Sequence, residues 1–178
     1  MSSSETPRWL DGEEEEAWLA LVAILLTLPT ALDAQLQRDA GMTFYEYMVL
    51  AALSHLPGRA ARMSDLAVLT NGSLNRLSQV VTKLEGRGWV RRGPDPSDGR
   101  VILAILTRSG QRVLDESAPG HVDSVRRLVF DPLSKTQVRQ LRNAHRRIKA
   151  AIAPDSAFLD EADRPRRGPR TGTRSNSK

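Results

Sequence analysis

Between an Asn-Gly pair at 71 and 72 and a lone glycine at 88 lies a segment, Leu74 to Arg87, whose side chains divide into an apolar and a polar face. At about 100° per residue, Leu74, Leu77, Val80, Val81 and Leu84 fall in a sector roughly 120° wide, while Asn75, Gln79, Thr82 and Lys83 face the other way. A helix of this kind buries one side only. Ser73 is placed to cap its start and Gly88 to stop it as a left-handed cap. Ahead of it, Ser64 is positioned to cap a short helix ending near Thr70, and Asn71-Gly72 supplies a tight turn. Behind it, Trp89 to Arg92 and Arg100 to Leu106 have strand character. The turn formers Pro94-Asp95-Pro96-Ser97-Asp98-Gly99 close them into an antiparallel hairpin. Short helix, turn, longer polar-faced helix and hairpin, in that order, make a helix-turn-helix with a wing.

The flanks are helical. A first helix is expected from about Glu13 to Ala40, kinked near Pro29 and ended by Gly41. Thr43 and Glu46 have the capping-box spacing, and Phe44, Tyr47, Met48, Leu50, Ala51 and Leu53 supply a buried stripe up to His55, before a Pro57-Gly58 turn. After the hairpin, Thr107 caps a helix that should break at Pro119-Gly120, resume, and end at Asp131-Pro132. Ser134 and Gln137 form a second capping-box pattern. The last helix carries Val138, Leu141, His145, Ile148 and Ile152 at spacings of 3, 4, 3 and 4, a narrow seam that only another helix can bury. The fold class is therefore mainly α with a small antiparallel β-hairpin: a winged helix-turn-helix over 43–106, flanked by an N-terminal helix over 13–41 and C-terminal helices over 107–153. Residues 1–12 and the basic tail 154–178 lack periodicity and are expected to be disordered.

The chain has 26 Lys and Arg against 21 Asp and Glu, but six of the cations lie in an acid-free tail from Arg164 to Lys178, so residues 1 to 163 hold 20 cations and 21 acids. Within that near-neutral body, Arg59 to Arg100 carries eight cations (Arg59, Arg62, Arg76, Lys83, Arg87, Arg91, Arg92, Arg100) and four acids. Segregation of this kind is what phosphate recognition requires, although a solvated surface can show it by chance. Cysteine is absent, which excludes disulfides, thiolate metal sites and thiol oxidation, and fits a reducing cytoplasm. The uncharged run Ala17 to Leu32 is only 16 residues long, contains Pro29 and follows four glutamates. It is expected to cover another protein surface rather than enter a membrane. His55, His121 and His145 lack metal-ligand spacing. Gly86-Arg87-Gly88 follows a helix and precedes a strand, the reverse of a phosphate-binding loop, and there is no nucleophile elbow or P-loop. No enzyme, metal or cofactor reading has residues to stand on.

On the polar helix face, Asn75 and Gln79 each offer a donor and an acceptor suited to an adenine edge. Arg76 can fork to guanine or phosphate, Ser73 and Ser78 suit phosphate or base contacts, and Thr82 and Lys83 complete the face. The partner implied is double-stranded DNA. A winged fold serving as a protein-interaction module, or a small-molecule-binding stress protein with incidental DNA affinity, remain alternatives; both would tolerate charge reversal at Arg76 and Lys83.

The segment Met63 to Gly110 resembles the winged helix-turn-helix of the MarR family of bacterial transcription regulators, the multiple-antibiotic-resistance type, in an actinobacterial-like form. Arg76-Leu77-Ser78-Gln79 followed by Leu84-Glu85, and Asp98-Gly99-Arg100 seven residues before Leu106-Thr107, carry the likeness. It extends more weakly over about Glu13 to Ile152. The resemblance implies a homodimer with interlocked terminal helices, one recognition helix per protomer in successive major grooves, and Arg100, oriented by Asp98, reaching from the wing tip into the minor groove. It also implies a ligand-responsive repressor whose small, often aromatic or anionic effector binds between the dimerisation helices and the DNA-binding lobe. Trp18, Phe44, Tyr45, Tyr47 and His55 are candidate lining residues, though aromatics at helical spacing also serve as core. Two departures stand out. Gln79 replaces an arginine common in the family, and the cysteine of peroxide-sensing members is missing.

Overall fold

A computed structural model describes residues 7–152; the first six residues and the segment 153–178, which includes the basic tail, lie outside the described residues. The chain divides into two compact units, with the boundary between Ser134 and Lys135.

In the first unit, α1 (Gly12–Ala40) begins at Asp11, which forms a capping box with Glu14, and ends at Gly41 in the left-handed region. Gly12 is thus already helical, although the sequence pattern places it in the aperiodic N-terminus. The helix runs on through Pro29. Its first half is open to solvent, with Trp18, Leu19, Ile24, Leu25 and Leu26 all exposed, whereas Leu32, Gln35 and Leu36 near its C-terminal end are buried. By length and apolarity alone α1 could cross a membrane.

The capping box expected at Thr43 and Glu46 starts α2 (Phe44–His55). This helix is buried on more sides than a single stripe would require: Val49 and Ala52 join Tyr47, Leu50 and Leu53 in the core. After a turn at Pro57–Arg59, β1 (Ala60–Arg62) leads directly into α3 (Met63–Leu69). Ser64 therefore does not cap α3. The preceding residue Arg62 is extended, and the Ser64 hydroxyl bonds the Asp65 carboxylate instead. Asn71, at φ 50°, makes the turn into α4 (Leu74–Gly86), which the Ser73 hydroxyl caps. Leu77, Val81 and Leu84 of α4 are fully buried. Burial of each such leucine or valine contributes about 1.5–3 kcal/mol.

Strands β2 (Val90–Pro94) and β3 (Ile102–Leu106) form the expected antiparallel hairpin, with Val90 opposite Leu106 and Pro94 opposite Ile102. The sheet also has a third strand, which the sequence pattern does not predict. β1 pairs antiparallel with β3, Ala60 opposite Ile105, so the sheet order is β1-β3-β2. Three residues reading Ala-Ala-Arg carry no alternation that marks a strand.

Thr107 caps α5 (Arg108–Val125), which passes unbroken through Pro119 and Gly120, contrary to the expected interruption. Pro119 is not buried and sits where water can satisfy the carbonyl it leaves unpaired. A wider π turn at Arg126–Phe130 continues α5. The second unit contains α6 (Lys135–Ile152), in which no residue is buried; Val138 and Leu141 are half-covered, and His145, Ile148 and Ile152 are exposed.

Candidate nucleic-acid interface

With Leu77, Val81 and Leu84 turned inward, α4 presents Asn75 and Gln79 to solvent, and neither side chain has a hydrogen bond among the described residues. Leu74, expected in the buried sector, is 55% exposed instead. It is the first residue of the helix, and the turn at Asn71-Gly72 lifts it clear of the core. Ser73 spends its hydroxyl on the Arg76 amide at 3.2 Å. Ser78 is half-buried, and its carbonyl accepts from the Thr82 hydroxyl at 2.9 Å and from Arg92 Nη2 at 3.1 Å.

The cations of this region fall into two groups. Arg62 bonds Asp95 at 3.2 Å, and Arg92 bonds Glu85 at 2.7 Å and the Thr82 hydroxyl at 3.0 Å. The Arg92 amide also donates to Glu85, so strand β2 is stitched to α4, and these hydrogen bonds hold the Glu85 carboxyl below its usual range. Lys83 Nζ lies 2.6 Å from Oε1 of Glu46, a buried carboxylate on α2. The Arg76 guanidinium sits 4.1 Å from the centre of the Tyr45 ring. Arg87 stacks on Trp89 and donates to the Gly41 carbonyl at 2.8 Å. By contrast, the guanidinium groups of Arg59, Arg91 and Arg100 have no ion pair, hydrogen bond or ring contact among the described residues.

At the wing tip, Asp95 accepts from the Ser97 amide and hydroxyl, and Asp98 Oδ1 accepts from the Arg100 backbone amide at 3.1 Å. Asp98 therefore shapes the turn; the expected contact with the Arg100 guanidinium is not made. The side chain of Arg100 projects from a braced loop as an unneutralised fork, the chemistry suited to a narrow electronegative groove.

The same fold recurs in Sco3205 of Streptomyces coelicolor, a MarR family transcriptional regulator solved in complex with DNA. It is 43% identical to this chain, over 88% of this chain and 98% of that one, with a TM-score of 0.80. The chain belongs to the MarR family. The MarR family profile itself matches residues 40–101, from the end of α1 to the wing tip. Among curated relatives, the transcriptional regulator HosA of Escherichia coli is 32% identical over 79 residues, 44% of this chain and 56% of HosA. The transcriptional repressor NicR of Pseudomonas putida is 30% identical over 91 residues, 51% of this chain and 56% of NicR. The chain thus spans little more than half the length of these curated relatives. MarR-family proteins are transcription regulators, and no enzyme is among these relatives.

The aromatic residues weighed as effector ligands in this MarR-family chain take different surroundings among the described residues. Trp18 is exposed on the open half of α1, and His55 is exposed at the far end of α2. Tyr45 donates to or accepts from the Thr70 hydroxyl at 3.0 Å and lies beneath Arg76. Tyr47 is buried with its ring 4.3 Å from that of His121, and Phe44 stacks on the same imidazole at 5.9 Å. Burial lowers the His121 pKa, and its Nδ1 is enclosed without a partner. Glu46 and Arg92, neither singled out by the sequence pattern as a contact residue, thus tie α4 to α2 and to β2, while His121 packs under the first turns of α2. Glu46 is legible only as a cap.

Proposed function

We propose that this MarR-family protein binds double-stranded DNA as a homodimer, placing α4 of each protomer in successive major grooves of a pseudo-palindromic operator and the Arg100 side chain in the flanking minor groove. One observation carries the reading: Asn75, Gln79 and Arg100 remain open while Arg76, Thr82, Lys83 and Glu85 are engaged within the fold. Unspent donors and acceptors on an exposed helix are what base-edge recognition uses. Ser73 and Asp98 then act by shaping the helix start and the wing, Ser78 keeps its hydroxyl for a phosphate or base while its carbonyl anchors Arg92, and Arg76 keeps guanidinium donors for a phosphate above the Tyr45 ring. The DNA in the Sco3205 complex supports the assignment.

The open apolar half of α1 and the seam along α6 are the surfaces a second copy would cover, which also accounts for α1 without a bilayer and leaves the protein in the cytoplasm with its DNA. Two recognition helices related by a dyad read half-sites about one helical turn apart. Occupancy blocks transcription, as the NicR name records for that relative. A small aromatic or anionic effector that changes the spacing of the two helices relieves the block.

The test is fluorescence anisotropy with a duplex from upstream of the protein's own gene and a scrambled duplex, titrated with salt. Arg100→Ala should lose about tenfold in affinity and reduce the salt slope by about one; Gln79→Ala should lose affinity for the specific duplex alone. Equal binding of both duplexes by the parent would refute the reading, and a monomer by light scattering would refute the dimer.

A further inference from the structure

Arg76, Lys83 and Arg87 lie along one line of α4 and its C-terminal cap, and all three are taken up by the corner between α1 and α2. Arg76 rests on the Tyr45 ring, Lys83 pairs with Glu46, and Arg87 bonds the Gly41 carbonyl. Tyr45 also bonds Thr70, and a side chain at Gly72 would overlap its hydroxyl, so the turn of the helix-turn-helix packs on the same ring. The corner is itself fixed. The Phe44 amide donates to Asp33 of α1 at 2.9 Å, and Glu46 holds the Thr43 amide at 2.8 Å through Oε2 while Oε1 holds Lys83.

We infer that Glu46, with Tyr45, is a positioning residue for DNA recognition: the first turn of α2 clamps the recognition helix through its cations, and Lys83 acts through that clamp rather than on a phosphate. This rests on the DNA-binding reading above. Glu46 is 1% exposed, so its charge is aimed at Lys83 and at nothing in solvent. A recognition helix held on its inner flank keeps Asn75 and Gln79 in register with base edges, and looseness there costs selectivity before it costs general affinity.

Glu46→Gln keeps an acceptor for the Thr43 amide and removes the charge that holds Lys83. In the full-length protein without DNA, hydrogen exchange followed by mass spectrometry should show residues 74–86 exchanging roughly five- to tenfold faster, with 108–125 unchanged. With DNA, preference for the upstream duplex over the scrambled one should fall roughly tenfold in Glu46→Gln and in Lys83→Met, while the salt slope of Lys83→Met stays at the parent value. Unchanged exchange in 74–86, or an equal rise throughout the chain, overturns the clamp. So does a slope reduced by about 0.9 in Lys83→Met, the signature of a lost phosphate contact. A parent that fails to prefer the upstream duplex overturns the function proposed above, and the exchange experiment still decides the clamp.

Discussion

Gly110 lies in the first turn of α5, where replacement by alanine should stabilise a helix by up to about 1 kcal/mol on propensity alone. The structure reverses the sign. A Cβ at Gly110 would overlap the Trp89 carbonyl oxygen and come within 2.8 Å of Leu106 Cδ1 and 2.9 Å of the Trp89 carbonyl carbon. The obstacle is backbone, and it is pinned: the Trp89 carbonyl accepts from the Thr107 amide at 3.0 Å and the Thr107 hydroxyl at 3.1 Å, and that hydroxyl in turn caps α5 through the Gly110 amide. Relieving the overlap means lengthening hydrogen bonds worth about 0.5–1.5 kcal/mol each, on top of an overpacking cost of about 1–3 kcal/mol. The net expectation is a loss of about 2–3 kcal/mol, or roughly 5–10 °C in Tm. Gly86 provides the control. It also sits in a helix, nothing lies within 4 Å of the place a methyl group would occupy there, and Gly86→Ala should gain about 0.5 kcal/mol. Urea unfolding at one fixed protein concentration measures both. Gly110→Ala as stable as the parent would refute the reasoning.

Three further outcomes follow from the same geometry. Because burial lowers the His121 pKa, the unfolded chain takes up a proton more readily; stability should be full above about pH 6.5 and fall on acidification below it, and His121→Phe should flatten that dependence in pH-resolved thermal melts. Arg92→Ala releases both α4 and the wing and should weaken specific DNA binding several-fold with a Tm loss of a few degrees, read by anisotropy and calorimetry. Gly72→Ala should displace Tyr45 and lower both stability and operator preference, with a loss of about 1–3 kcal/mol in urea unfolding.

What can be read from the sequence is local. The capping box of Thr43 and Glu46, the caps at Ser73 and Thr107, and the hairpin are set by residues within a few positions of each other, so their signals survive without tertiary information. What cannot be read depends on distant neighbours. β1 is a strand only because β3 offers it a free edge far along the chain, and α5 ignores Pro119 because its inner face is packed on α1 and α2. The polar face of α4 shows the limit most clearly. Periodicity groups Lys83 with Asn75 and Gln79, yet Glu46, 37 positions earlier, claims Lys83. Charge counting has the same blind spot: of eight cations between Arg59 and Arg100, only Arg59, Arg91 and Arg100 keep their guanidinium groups uncommitted among the described residues.

The wing tip is braced mostly by hydrogen bonds among its own residues, with Arg62 of β1 holding Asp95 from outside. Asp95 gathers Ser97, Asp98 gathers the amide of Arg100, and the Asp95 and Val101 amides close the loop through the carbonyls of Val101 and Asp98. On the DNA-binding reading proposed above, a loop so furnished would arrive at the duplex with its shape already decided. Little backbone freedom is surrendered on docking, so association should proceed as a rigid-body encounter, with a small heat-capacity change and no slow folding phase after first contact.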